Sequence, residues 1–282
     1  MTVSDLRKHI KKLLEEYMVD DADAIGDIVS ASSLGTDRSG LYLILDKEVA
    51  LADIAKAEDM VKKLMTGMPV QYVLGECYFY GLPIKVGSGC FIPRSDTELL
   101  VTEAITLLPR SGRFADICTG SGCISKAIAT ERPDVTGLSL DYYPKPLAAA
   151  KINLSDCGNV SVERFDALEP DDYKRIEGFD LIVCNPPYIP TDDLQFLDAN
   201  VHFEPETALD GGSDGLRFYR AVSEYGSSCL KEGGALLFEA GIDQADDISE
   251  IMRSFGLETY IKNDLGGIPR LIAGIKKGEN GV

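Results

Sequence analysis

The sequence predicts an α/β protein: a seven-stranded, mainly parallel sheet covered by helices on both faces, preceded by a small helical bundle and a β-hairpin. Three observations carry this. After Pro93, short apolar runs alternate with amphipathic segments, the pattern of strands joined by the helical crossovers that parallel neighbours require. Before Gly67, apolar residues recur at helical spacing. Between the two regions, glycines and prolines interrupt a β-rich stretch.

Taken in order, Leu6, Ile10, Leu13, Leu14 and Tyr17 form one helical stripe behind Ser4 as N-cap; Ile25, Ile28 and Val29 form a second, and Ile54, Ala57, Val61 and Leu64 a third. Gly67 and Pro69 end this bundle. Val70–Leu74 and Tyr78–Val86, split by Gly75 and Gly81, read as the two arms of a hairpin. The chain thus divides into a helical domain over 1–69, a hairpin connector over 70–93 and a sheet domain over 94–282. Strands are expected at Phe114–Cys118, Thr136–Leu140, Val160–Phe165, Phe179–Cys184, Ala235–Glu239, Glu258–Lys262 and Arg270–Ile275, with helices at Cys123–Arg132 and Gln244–Phe255 among those between them. The tail, Lys276–Val282, is expected to fray.

Composition narrows the function. With 282 residues, 28 Lys and Arg against 46 Asp and Glu, the net charge is −18, which disfavours generic binding to a polyphosphate backbone. Apolar residues make up 45%, Trp is absent, and no run of roughly 18 apolar residues offers a membrane span. The N-terminus has neither the apolar core of a signal peptide nor the character of a transit peptide, so a cytoplasmic location is expected. Seven cysteines (Cys77, Cys90, Cys118, Cys123, Cys157, Cys184, Cys229) lack CxxC spacing, and the two histidines, His9 and His202, lie far apart. A disulfide framework and a metal site are not expected.

Ligands of such sheets bind beyond the carboxyl ends of the strands. The first strand ends in Asp116-Ile-Cys118-Thr119-Gly120-Ser121-Gly122 and runs into a helix, a turn where glycines permit close backbone approach to a bound molecule. Asp141 ends the second strand, where a carboxylate can grip a ribose diol. Dinucleotides and S-adenosylmethionine both fit this much. Asp116 beside the glycines would repel a pyrophosphate and attract a cationic sulfonium with its ammonium group, which favours S-adenosylmethionine, leaving S-adenosylhomocysteine as product.

The fourth strand is followed at once by Asn185-Pro186-Pro187-Tyr188. The prolines fix φ and lack N–H groups, so the Asn185 side-chain oxygen and a proline carbonyl can converge as rigid acceptors for a planar –NH2, against which the Tyr188 ring packs. An amide or an exocyclic amine would be held with its nitrogen aimed at a methyl donor, and catalysis would be mainly positioning. The nitrogen, once methylated, would lose its proton to Asn185 or to water. No titrating base stands in this constellation, so the rate is expected to show no acid limb near neutral pH.

Gly67-Met-Pro69-Val-Gln71-Tyr72-Val-Leu-Gly75, Phe91-Ile-Pro93-Arg94-Ser-Asp96-Thr97-Glu98, the Asp116–Gly122 loop, Asn185–Tyr188, and Phe203-Glu204-Pro205 with Ala208-Leu-Asp210-Gly211-Gly212 resemble the bacterial peptide chain release factor N5-glutamine methyltransferases, the HemK/PrmC family. The resemblance covers about residues 65–275. It implies a Rossmann-like methyltransferase sheet behind a helical substrate-recognition domain. It also implies transfer of a methyl group from S-adenosylmethionine to the side-chain amide of the Gln in the Gly-Gly-Gln motif of release factors. By the same resemblance Cys118, Thr119, Gly120, Ser121 and Gly122, with Asp116, line the methionine part of the cofactor; Asp141 holds the ribose hydroxyls and Asp166-Ala167 the adenine. Asn185, Pro186, Pro187 and Tyr188 hold the substrate Gln. Arg94, Asp96, Thr97 and Glu98 shape the cofactor side of the cleft, and Phe203-Glu204-Pro205 its substrate rim.

Three segments depart from the family pattern. Cys118 stands in place of Gly, which suits a residue that keeps φ negative. Tyr142-Tyr143-Pro144-Lys145-Pro146 stands where a Ser and a small residue are usual, and Gly266-Gly267-Ile268-Pro269-Arg270 lengthens a Gly-x-x-Arg turn by one residue. A nucleic-acid amino-methyltransferase is the competing enzyme, since an adenine amine presents the same –NH2. Such an enzyme needs a basic surface or a recognition domain to hold its polymer, and the extra domain, residues 1–66, has only the run Arg7-Lys8-His9 with Lys11-Lys12, read as a solvated helix face. The acidic balance favours a protein substrate. A non-catalytic cofactor-binding module is the remaining alternative.

Overall fold

A computed structural model describes residues 1–278. The chain forms two compact units: Met1–Glu76 with Asp198–Phe203, and Cys77–Leu197 with the chain from Glu204 onward. Of the tail expected to fray, Lys276 closes the last strand, residues 277 and 278 follow it without regular structure, and 279–282 lie outside the described residues.

The first unit is helical, over Val3–Glu16, Ala22–Ser33, Arg38–Tyr42, Leu51–Leu64 and Val70–Leu74. Leu6, Ile10, Leu14, Val29, Ala57, Val61 and Leu64 from the three expected stripes are buried together, whereas Tyr17 is exposed. Thr2, not Ser4, caps the first helix. Its hydroxyl accepts the Asp5 N–H while Asp5 accepts the Thr2 N–H, a reciprocal capping box that leaves Ser4 in the first turn.

Val70–Leu74 is a helical turn rather than the expected strand. Pro69 precedes it at the N-cap, and Gly75, at φ +77°, closes it by donating to the Gln71 carbonyl at 2.8 Å. The hairpin begins two residues before the second β-rich piece and excludes the first, pairing β1 (Glu76–Phe79) with β2 (Leu82–Lys85). Tyr80 and Gly81, both at positive φ, join them, as a two-residue turn of matching twist requires. From Cys77 onward the hairpin belongs to the second unit.

The second unit contains the predicted sheet. Its strands are β3 (Arg113–Ile117), β4 (Thr136–Asp141), β5 (Val160–Arg164), β6 (Phe179–Cys184), β7 (Leu230–Glu239), β8 (Leu257–Asn263) and β9 (Pro269–Lys276). Their order is β5-β4-β3-β6-β7-β9-β8. β3 to β7 run parallel, and β9 lies antiparallel to both β7 and β8. The apolar runs in β3, β6 and β7 are buried, as strands covered on both faces must be. The expected helices occur at Cys123–Glu131 and Ala245–Ser254. The second of these buries Ile248 and Met252 in the core that holds Phe179, Ile182, Leu236, Phe238 and Ile272.

From β3 the chain winds outward through β4 to β5 and then returns to β6 on the other side of β3. That reversal opens a crevice at the carboxyl ends of β3 and β6. No helix among the described residues is long and apolar enough to cross a membrane.

Candidate active site

The turn after β3 is held from behind. Asp116 is fully buried, and its Oδ2 accepts from Thr119 Oγ1 (2.6 Å), Ser125 Oγ (2.8 Å) and the Ser125 N–H (3.2 Å). Oδ1 has no hydrogen-bond partner among the described residues. Burial pushes the carboxyl up to about 6, against the lowering effect of those donors. Asp116 therefore ties the loop to the helix that follows instead of lining the cavity, as the sequence reading had it. Cys118 also departs from expectation. It takes φ +61°, in the left-handed region where a Cβ crowds the backbone. Gly120 and Gly122 share positive φ. A Cβ on Gly122 would come within 3.2 Å of the Ala150 backbone and side chain, so this glycine lets the helices after β3 and β4 approach. Asn153, which the sequence reading did not single out, donates to the Ser121 carbonyl at 2.8 Å and exchanges hydrogen bonds with the Lys85 backbone.

Asp141 closes β4. Its Oδ2 accepts the Gly120 N–H and its Oδ1 the Tyr143 N–H, each at 3.0 Å; burial pushes its pKa up. The unusual Tyr142–Pro146 segment leaves the helix start intact, with Tyr143 at the N-cap and Pro144 at the first position. After β5, Asp166 accepts the Leu168 N–H at 2.9 Å, and the Ala167 carbonyl accepts Tyr173 Oη at 3.0 Å.

At the end of β6, Asn185 Nδ2 donates to Thr97 Oγ1 at 3.3 Å. Thr97 opens the helix Thr97–Leu107, so the Ile-Pro-Arg-Ser-Asp-Thr-Glu segment delivers it to the site. The Tyr188 carbonyl accepts from Gln244 Nε2 at 2.9 Å, and burial pushes the Tyr188 phenol up, keeping it neutral. The next residues are sealed against the returning chain: Ile189 N–H donates to Leu209 O (2.9 Å), Gly211 N–H to Ile189 O (2.8 Å) and Thr191 N–H to Gly212 O (3.0 Å). Glycine is needed on that returning chain, because a Cβ on Gly211 would lie 2.8 Å from Tyr188 Cα and one on Gly215 2.3 Å from Tyr188 O.

These loops enclose a cavity of about 560 Å³. It is lined by Cys118, Thr119, Gly120 and Ser121; by Asp141, Asp166 and Ala167; by Asn185, Pro186, Pro187 and Tyr188; and by Pro205–Asp210. The acidic side chains Asp141, Asp166, Glu206 and Asp210 face it against a single basic one, Arg217, among the described residues.

Several expected site residues sit elsewhere. Asp116, Gly122 and Arg94 are not on the cavity wall. Glu204 is turned inward with its side chain buried, ion-paired to Arg94 and accepting the Ile92 N–H at 3.0 Å, so it braces the Phe91–Arg94 segment rather than forming a substrate rim. Phe203 belongs to the first unit, where its ring lies 3.6 Å from where a Cβ of Gly67 would be. Glu98 holds the hairpin by accepting the Tyr80 N–H at 2.8 Å.

Sequence reasoning missed Glu239 and left the place of Arg270 open. Glu239, the last residue of β7, is buried, with Oε2 unpartnered among the described residues. Burial raises its carboxyl to about 7, while Thr97, Arg270 and Asn185 pull it down. A titrating carboxyl therefore stands beside Asn185, contrary to the expectation of none. Arg270 folds back toward the same corner: its Nη1 donates to the Ala240 carbonyl at 3.1 Å, and it lies 3.5 Å from Asp96 and 3.6 Å from Asp264. The signal for Glu239 was its position at the carboxyl end of β7.

A doubly wound sheet with a cavity at the carboxyl ends of β3 to β6 and an Asn-Pro-Pro-Tyr turn on its wall defines a methyltransferase. The family model described as "Methyltransferase small domain" matches residues 95–200. A methyltransferase from Pyrococcus furiosus shares the fold at a TM-score of 0.53 and 16% identity, over 71% of this chain and 91% of that one. So does the hMettl16 catalytic domain, solved in complex with the MAT2A 3′UTR hairpin 1, at 0.54 and 14%, over 81% of each. A second model, "PrmC N-terminal domain", matches residues 5–75. The chain is 37% identical to the release factor glutamine methyltransferase of Geobacter sulfurreducens over 93% of this chain and 92% of that protein, and 32% identical to that of Clostridium acetobutylicum over 95% of each. It belongs to the release factor glutamine methyltransferase family.

Proposed function

We propose that the protein transfers a methyl group from S-adenosylmethionine to the side-chain amide N5 of the glutamine in the Gly-Gly-Gln motif of peptide chain release factors. One observation carries the reading. Asn185 donates from Nδ2 to Thr97, which turns Oδ1 the other way as an acceptor for a substrate –NH2, with Pro186 and Pro187 on the same wall.

The cavity suits that cofactor. Its wall is acidic, which favours a sulfonium and an ammonium over a pyrophosphate. Each Asp141 oxygen accepts one backbone N–H and keeps a lone pair for a ribose hydroxyl. Cys118–Ser121 would hold the methionine part and Asp166-Ala167 the adenine. Bound there, S-adenosylmethionine supplies an electrophilic methyl group and leaves as S-adenosylhomocysteine. The chain's own residues do the rest by orientation: Asn185 and the Pro186 carbonyl fix the amide plane, Tyr188 supports its face, and the nitrogen lone pair is directed along one line.

The acidic balance and the first unit favour a protein acceptor over a nucleobase. Most of its basic run is occupied: Arg7 pairs with Asp27, His9 contacts Glu58, Lys11 lies 2.5 Å from Asp23, and Lys12 lies 3.7 Å from Glu16. The test offers radiolabelled S-adenosylmethionine with either a release factor or oligonucleotides, and maps the methyl group by mass spectrometry. Label on the Gly-Gly-Gln glutamine, abolished by Asn185→Ala, is expected; label entering only oligonucleotides would overturn the reading.

A further inference from the structure

Glu239 ends β7 beside the end of β6, where Phe238 pairs with Cys184 and Asn185 follows. A carboxylate buried with one oxygen unpartnered is costly, and this one sits against the residue that grips the substrate. Asn185 Nδ2 donates to Thr97 Oγ1. The Glu239 carboxyl ends β7 next to Asn185, and the Thr97 and Asn185 side chains both lower its pKa, so they are the polar side chains near enough to act on it. With its oxygen already accepting from Asn185, Thr97 has one proton left to donate, and the acid is the acceptor in reach.

The direction of this relay matters because a carboxamide fits its site in two ways, with O and N exchanged. Only with Nδ2 turned inward does Asn185 present Oδ1 to a substrate –NH2. An ionised Glu239 accepts only, and so enforces that orientation. A protonated Glu239 donates, reversing the Thr97 hydroxyl and allowing the flipped amide, whose –NH2 would confront the substrate's own.

We propose that Glu239 is a positioning residue for methyl transfer: its carboxylate, acting on the Asn185 amide directly and through Thr97, holds that amide with Oδ1 toward the substrate nitrogen, and protonation releases that hold. This rests on the glutamine-methylation reading above.

The other charged and titratable groups around it are accounted for. Arg270, on β9, is shared with Asp96 at the start of the Thr97 helix and with Asp264 in the loop before β9. Tyr188 and Tyr219 are buried phenols whose pKa values are raised, and Tyr219 donates its hydroxyl to the Glu239 main-chain carbonyl at 2.8 Å. Glu239 is thus the group that changes charge near neutrality. Because its carboxyl is raised, the productive ionised form is present above a pH of about 7 and is lost as the pH falls through that value.

The test measures kcat and KM for a release factor from about pH 5.5 to 9. Wild type is expected to show an acid limb in kcat with a midpoint near 7. Glu239→Gln should lower kcat about tenfold or more and abolish the limb. S-adenosylhomocysteine affinity by calorimetry should stay within about twofold of wild type, since the effect falls on orientation and not on cofactor binding. Glu239→Asp should restore part of the limb, Thr97→Val should mimic Glu239→Gln, and Thr97→Ser should retain activity. A folded Glu239→Gln or Thr97→Val protein with wild-type kcat and profile would overturn the assignment. Nuclear magnetic resonance provides a readout independent of the substrate: the Asn185 side-chain amide signals should follow the Glu239 titration in wild type and stay fixed in Glu239→Gln. Wild type inactive on release factors would bring down the substrate reading alone, while Asn185 signals indifferent to Glu239 would bring down this one.

Discussion

Asp141 Oδ2 accepts the Gly120 N–H at 3.0 Å, tying the carboxylate at the end of β4 to the turn after β3. The same residue lines the cavity. Hydrogen bonds to a charged acceptor contribute about 1.5–3 kcal/mol each, so Asp141→Ala should weaken S-adenosylhomocysteine binding by about 10- to 100-fold. Calorimetry checks this; affinity within about twofold of wild type would mean that the carboxylate serves the loop alone.

Cys118 carries a side chain at φ +61°. Replacing it by Gly and by Ala removes the thiol in both cases and differs only in the Cβ. Cys118→Gly should be more stable than Cys118→Ala by about 1 kcal/mol, read as a difference in denaturation midpoint at equal slope. Equal stabilities would show that the turn relaxes to negative φ.

The contrast between these two residues marks what can be read from sequence. Asp141 was recognisable because strand, turn and helix signals fall in order along one stretch of chain. The sheet was legible for the same reason: Phe179–Cys184 and Ala235–Glu239 are apolar runs that only strands covered on both faces explain. Val70–Leu74 was misread because its β-branched residues outweighed Pro69 and Gly75, the helix punctuation on either side. Glu204 was misplaced because its partner, Arg94, lies 110 residues away, and no local pattern says whether a carboxylate turns in or out. Glu239 was overlooked because a Glu at a strand end ordinarily faces water, and only the neighbouring strand and the Thr97 helix bury it.

Two buried acids, Asp116 and Glu239, contribute strongly to the pH dependence of stability, in the same direction as Asp141. Burial raises Asp116 to about 6 and Glu239 to about 7, so the folded protein binds more protons than the unfolded chain between their unfolded and folded pKa values. Stability therefore falls as the pH rises, by about 3 kcal/mol for each group once ionised. Denaturation midpoints of the cofactor-free protein should decline from about pH 5 to pH 7.5. Asp116→Asn combined with Glu239→Gln should flatten the decline; an unchanged slope in the double variant would assign it to other groups.

Arg94 supplies the cation for Glu204, whose side chain is buried. Arg94→Ala leaves that carboxylate uncompensated and should destabilise the protein by about 2 kcal/mol. Cofactor affinity should be unaffected, since Arg94 is not on the cavity wall. Lost affinity at unchanged stability would return Arg94 to the cofactor site.

The sealed pairing of Ile189 and Thr191 with Leu209, Gly211 and Gly212 makes the chain between them a cassette. Its ends are fastened where the Asn-Pro-Pro-Tyr turn leaves the sheet, so changes of length between them are absorbed within the loop provided Glu204 keeps its hold on Ile92 and Arg94. The cassette also contributes Pro205–Leu209 to the cavity wall. On the proposed glutamine-methylation reading, exchange of this one loop is the simplest way for acceptor preference to diverge between relatives.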